Sequence, residues 1–130
     1  MLANAKAFSG FAVDDIDQAR EFYGETLGLR VELLDEENHL ISLHHPGDRD
    51  TLVYGKPDHA PANYTILNFQ VDDIDEAVDG LAARGVRFER YDGMPQDDKG
   101  VMRGLAEGRG PDIAWFTDPA GNILSLLQEA

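Results

Sequence analysis

Val13-Asp14-Asp15-Ile16-Asp17 recurs letter for letter at Val71-Asp72-Asp73-Ile74-Asp75. Phe11 and Phe69 keep the same distance from the repeat, as do Ala19 and Ala77. Farther along, Gly28-Leu29-Arg30-Val31-Glu32 is echoed by Gly85-Val86-Arg87-Phe88-Glu89, but one residue out of step. Such self-similarity implies two copies of one supersecondary unit. Each copy can then be read against the other, separating what the fold needs from what is free to carry chemistry.

Around the repeat the hydrophobic period changes from two to about 3.6. Leu67, Phe69 and Val71 alternate with Ile66, Asn68 and Gln70 as a strand; Ile74, Ala77, Val78 and Leu81 then line one face of a helix. In the first copy Phe11 and Val13 end a strand, and Ile16, Ala19, Tyr23 and Leu27 form the helical stripe. Asp15-x-x-Gln18 and Asp73-x-x-Glu76 are capping boxes, so helices are predicted over Asp15–Leu27 and Asp73–Arg84. Short strands are predicted at Leu29–Leu34, His39–His44 and Thr51–Tyr54, and again at Val86–Arg90, Ile113–Thr117 and Ile123–Leu127. The reading is α+β, with tandem βαβββ modules at about residues 5–55 and 64–128 in a single domain, joined by a linker at 56–63. Tyr91–Pro111, rich in glycine, has no counterpart in the first copy and reads as a lid, a binding loop or a disordered segment.

Composition narrows the function classes. With 130 residues and 42% hydrophobic content the chain can bury a core, and the absence of cysteine removes disulfides, thiolate nucleophiles and sulfur ligands. The net charge of −14 disfavours nucleic acid, whose binding depends on basic side chains. It suits a neutral or cationic ligand instead. No stretch resembles a secretion signal or a membrane span, so a cytoplasmic protein without membrane attachment is expected.

Strand alternation assigns faces. Leu67, Phe69 and Val71 must meet the helix, which turns Ile66, Asn68 and Gln70 the other way; Phe8, Gly10 and Ala12 are the matching set in the first copy. Trp115 and Ser125 share that second face in the last hairpin. Arg103, Asp97 and Asp98 lie in the Tyr91–Pro111 segment and could reach a ligand if it closed as a lid.

Phe11-x-Val-x-Asp15 running into Phe22-Tyr23 and Leu27-Gly28, with Phe69-x-Val-x-Asp73 and the closing Phe116-x-Asp-Pro-x-Gly121-Asn, resembles the vicinal oxygen chelate superfamily. That group includes glyoxalase I, bleomycin-resistance proteins and extradiol dioxygenases. The resemblance implies curved mixed sheets forming a cup. In metal-dependent relatives a His lies five residues before the Val of a module's first strand and a Glu lies in its last strand. The corresponding residues here are Phe8, Val53, Ile66 and Ser125, which imply a member without metal or other cofactor.

The ligand-binding residues expected from the two lines together are Phe8, Val53, Asn68, Gln70, Arg103, Trp115 and Ser125. The function expected is metal-independent binding of a small molecule, such as sequestration of a drug or metabolite, by a homodimer. The alternative is a metal-free lyase or isomerase with Asp97 or Asp98 as base, His59 as acid or base and Asn68 as oxyanion donor. His39, His44 and His45 read as surface or hydrogen-bonded histidines.

Overall fold

The computed structural model describes every residue, Met1–Ala130, and comprises two compact units, Met1–Ala60 and Pro61–Ala130. Unit one runs β1 (Ser9–Val13), α1 (Ile16–Glu21), a π-helical turn (Phe22–Thr26), β2 (Arg30–Asp35), β3 (Leu40–His45) and β4 (Arg49–Gly55). Unit two runs β5 (Thr65–Gln70), α2 (Ile74–Ala83), β6 (Val101–Arg103), β7 (Asp112–Thr117) and β8 (Ile123–Gln128). The strand orders are β1-β4-β3-β2 and β5-β8-β7-β6. In each sheet the first and last strands pair in parallel and the other neighbours pair antiparallel. The fold is α+β, and both units share one wiring.

The repeated pentapeptide starts the helices. The Asp15 carboxylate accepts the Gln18 N–H at 3.1 Å, and Asp73 accepts that of Glu76 at 3.1 Å, each satisfying an orphan donor of the first turn. Past the helices Gly28 (φ 75°) and Gly85 (φ 91°) take the left-handed conformation that lets the chain reverse.

The one-residue slip between the copies has a structural cause. The Leu29 N–H reaches the Tyr23 carbonyl, whereas the equivalent Val86 N–H reaches Leu81, one residue nearer. The first helix has absorbed an extra residue as a π turn, in which the Leu27 N–H donates to the Phe22 carbonyl. The widened turn holds fully buried Tyr23 against Phe11 and edge-on to Phe22, with ring centroids 5.8 and 5.1 Å apart.

The edge strand of unit two differs from the prediction. Val86–Arg90 makes only one bridge, Phe88 to Phe116, and a bond from the Glu89 N–H to the Trp115 carbonyl. The chain then leaves the sheet and returns as β6, where Val101 pairs with Ala114. The segment read as having no counterpart therefore contains the strand that completes the sheet. Its excursion, Arg90–Gly100, is a tied loop. The Gln96 side chain donates to the Glu89 and Gly100 carbonyls (2.9 and 2.7 Å) and accepts from the Tyr91 N–H (2.8 Å), closing the base.

Register fixes which residues form each core. In unit one Phe11, Val53 and Ile41 stand side by side under α1. In unit two Phe69, Leu126, Ala114 and Val101 form one row, and Leu67, Leu124 and Phe116 the next, under α2. Phe116, Leu124, Ile41, Leu43 and Val53 are fully buried, each apolar side chain contributing about 1.5–3 kcal/mol.

Candidate functional site

Turning the apolar rows toward α2 leaves the other face of the β5-β8-β7-β6 sheet for Asn68, Ser125 and Trp115, which the ladders place in one row. The adjoining row is Gln70, Leu127, Ile113 and Met102. Ser125 is fully buried, and its hydroxyl donates to the Asn68 Oδ1 at 2.5 Å. That bond holds the amide by its oxygen, and the amide nitrogen is a donor of two hydrogen bonds. Trp115 is half-buried and meets Tyr91 edge-on, with ring centroids 5.5 Å apart. Burial, assisted by the negative charge of Glu89, raises the Tyr91 pKa, so its hydroxyl stays protonated. Glu89 itself accepts from the Thr117 hydroxyl at 3.5 Å. This face thus combines an aromatic pair, half-buried apolar side chains, an oriented amide and one carboxylate, the mixture typical of organic-ligand sites.

Three expected members, Val53, Arg103 and Phe8, are elsewhere. Val53 pairs with Phe11 and Ile41 on the helix side, and the residue equivalent to Ser125 is Leu52. The first module has no Asp-Pro-x-Gly turn from which its last strand could be counted, hence the slip of one place. Arg103 shares strand parity with buried Val101 and points to the helix side. It donates to both oxygens of Asp75 (3.0 and 2.7 Å) and to Asp97 (2.9 Å), and lies 3.7 Å from Asp112. Those bonds hold Asp75 down to about 2, against the opposing effect of burial and with help from Lys99. Together with the Gln128 side chain, which accepts the Ile74 N–H at 2.8 Å, Arg103 anchors the start of α2. It is a clamp within the unit, saturated by carboxylates.

Phe8 lies in unit one, just before β1, and is 72% exposed. Gln70 is exposed at the end of β5.

Of the residues of the enzymatic alternative, the Asp97 carboxylate is already engaged. Burial pushes the Asp97 carboxyl up, but the Val101 and Lys99 N–H groups and the Arg103 guanidinium outweigh it and lower the pKa. A carboxylate so bonded is a poor base. The backbone carbonyls of Asp97 and Asp98 accept from Arg90, fixing the loop. His59 belongs to unit one; its backbone N–H donates to the Lys56 carbonyl, and its buried Nε2 has no hydrogen-bond partner.

Glu89, Tyr91 and Met102 were absent from the sequence expectation. The echo of Glu32 by Glu89 was the available signal for the first of them. The face of unit one away from α1 carries a different group: His44, bonded through Nδ1 to Asp50 at 2.7 Å, with its Nε2 3.5 Å from Glu32.

A family model described as the Glyoxalase/Bleomycin resistance protein/Dioxygenase superfamily matches residues 7–126. The chain belongs to that superfamily. Among solved structures, a superfamily member from Sphaerobacter thermophilus is 27% identical, with a TM-score of 0.68 over 96% of this chain and 98% of that one. An antibiotic-binding protein from a Streptomyces species matches with TM-score 0.67, 22% identity and 98% coverage of both chains. A lactoylglutathione lyase from Agrobacterium tumefaciens matches with TM-score 0.64, 22% identity and coverage of 97% and 95%. No curated protein matches the chain in sequence.

In metal-dependent relatives the donors come from the first and last strands of each module. Phe8, Leu52, Ile66 and Ser125 hold the relevant places, and their one hydroxyl is spent on Asn68. No group of three or more His, Asp or Glu side chains is arranged to hold a metal ion. A divalent ion needs several N or O donors, which these residues do not provide.

Proposed function

We propose that the protein binds a small organic molecule without a metal, holding it on the Trp115 face of unit two. The observation that carries this reading is the row Asn68–Ser125–Trp115, flanked by Tyr91. A buried serine spends its hydroxyl on orienting an exposed amide beside the chain's one tryptophan. Trp115 and Tyr91 offer apolar area and edges for an aromatic or cyclic body. The Asn68 nitrogen supplies hydrogen-bond donors for a carbonyl, and Glu89 favours a cationic over an anionic group. The overall charge of −14 acts in the same direction. Sequestration requires affinity alone, and the antibiotic-binding protein from Streptomyces is a precedent for binding an organic molecule on this fold.

Native mass spectrometry of freshly purified protein, paired with elemental analysis, tests the reading. The expected result is a substoichiometric organic adduct, no stoichiometric metal, and a mass consistent with a homodimer. One metal per chain, with a melting temperature that falls in chelator, would overturn the metal-free reading.

A further inference from the structure

We propose that His44, Asp50 and Glu32 form a proton-transfer site on the face of unit one away from α1, with His44 as the general base. This goes beyond ligand binding by unit two and does not rest on it. The geometry is that of a positioned imidazole. Asp50 Oδ1 lies 2.7 Å from Nδ1, which in the neutral ring fixes the proton on Nδ1 and leaves the lone pair on Nε2. Nε2 is directed toward Glu32 Oε1 at 3.5 Å, a gap that closes to an ion pair once Nε2 takes a proton. The site therefore stabilises the product of proton abstraction. Arg30 stands opposite His44 in the β2–β3 register and is the cation closest in the ladder; His45 turns to the other face and bonds Thr51. The two carboxylates outweigh the effect of desolvation and raise the His44 pKa, making it a stronger base nearer neutral pH.

The second unit shows that the fold does not require this group. Glu32 and Glu89 are equivalent, and each lies 3.5 Å from its neighbour across the sheet. In unit two that neighbour is Thr117, and the place of Asp50 is taken by Ile123. The same wiring closes around a threonine and an isoleucine, so the His–Asp pair is an addition to one copy.

The surroundings suit a substrate with an apolar body. Leu52 and Tyr54 share this face, and Phe8, exposed one residue before the Ser9–Thr51 pair, falls beside Asp50 if the parallel register is continued. The class of substrate is a neutral or cationic carbon acid, because two flanking carboxylates would repel an anion.

The probe is 5-nitrobenzisoxazole. In its elimination the C3 proton passes to His44 Nε2, the C–H electron pair completes the nitrile, and the N–O bond breaks to release the phenolate. With the full chain, the rate should exceed that of His44→Gln by roughly tenfold or more and should rise with pH through one ionisation. Asp50→Asn should slow the reaction and shift that ionisation downward. Because a weak base in any site could give some rate, nitrogen NMR of the imidazole supplies the second readout, and the neutral ring should be the Nδ1–H tautomer. Equal rates for the wild type and His44→Gln, or an Nε2–H tautomer, would overturn the proposal.

Discussion

The two units follow the same plan and differ at two places, the helix and the edge strand. In unit one an extra residue is taken up inside the helix as a π turn, and the edge strand β2 runs from Arg30 to Asp35 with no excursion from the sheet beyond one bulge between Leu33 and Asp35. In unit two α2 is regular, and the extra chain is taken up at the edge, between Glu89 and Val101. Insertions are tolerated where backbone groups can find new partners. The π turn supplies them within the helix, and Gln96 and Asp97 supply them at the edge. The unit with the excursion also carries Tyr91 beside Trp115, since the loop begins where that ring is placed.

If Gln96 closes the excursion, Gln96→Ala should have the largest effect, about 2–4 kcal/mol of lost stability, because three part-buried backbone groups lose their partner. Chemical denaturation measures it, and a change in Trp115 emission should accompany it through Tyr91. The helix half of the comparison is probed by deletion. Removing Thr26 should cost about 1 kcal/mol or less, since the shortened turn would match the spacing of α2, while removing Ala82 from α2 should cost several times more. Comparable losses from both would show that the π turn is not a removable insertion.

The charge clusters differ too, and pH separates them. In unit one the carboxylates surround a histidine whose pKa is raised by Asp50 and Glu32. Its stabilisation is fully present below the ordinary histidine value and is lost as pH rises through the raised one. In unit two they surround Arg103, and Asp75 is held at about 2. That contribution is present at neutral pH and is lost as pH falls from the ordinary carboxylate range toward 2. Both clusters are partly open to solvent, which screens them, so the effects on melting temperature should be small. His44→Gln should remove the first dependence and leave the second.

How much of this was legible depended on the range of the interactions involved. Asp15, Asp73, Gly28 and Gly85 act on their own backbone neighbourhood, so both helices and their ends could be read from sequence. The slip between Gly28 and Gly85 was visible, but the choice of a π turn depends on packing around Tyr23. The strand β6 was hidden because a three-residue segment becomes a strand only by pairing with β7. Arg103 was misplaced for a related reason: its partner Asp75 is distant in sequence, and no local pattern links them. Asn68 and Ser125 were assigned to one face by alternation, yet their mutual bond required the parallel register of β5 and β8.

The most direct measurement is a fluorescence titration, because Trp115 is the chain's one tryptophan. A panel of neutral, cationic and anionic cyclic compounds would be screened by thermal shift, and those that stabilise the protein would be titrated against Trp115 emission. The expected result is that stabilising compounds, neutral or cationic, change that emission. Trp115→Ala should weaken their binding by more than about 1 kcal/mol in calorimetry, and Asn68→Ala should weaken it too while also costing about 1–3 kcal/mol of stability, because the buried Ser125 hydroxyl loses its acceptor. Compounds that stabilise the protein while leaving Trp115 emission unchanged, and that bind Trp115→Ala as tightly as the wild type, would contradict a ligand site on this face.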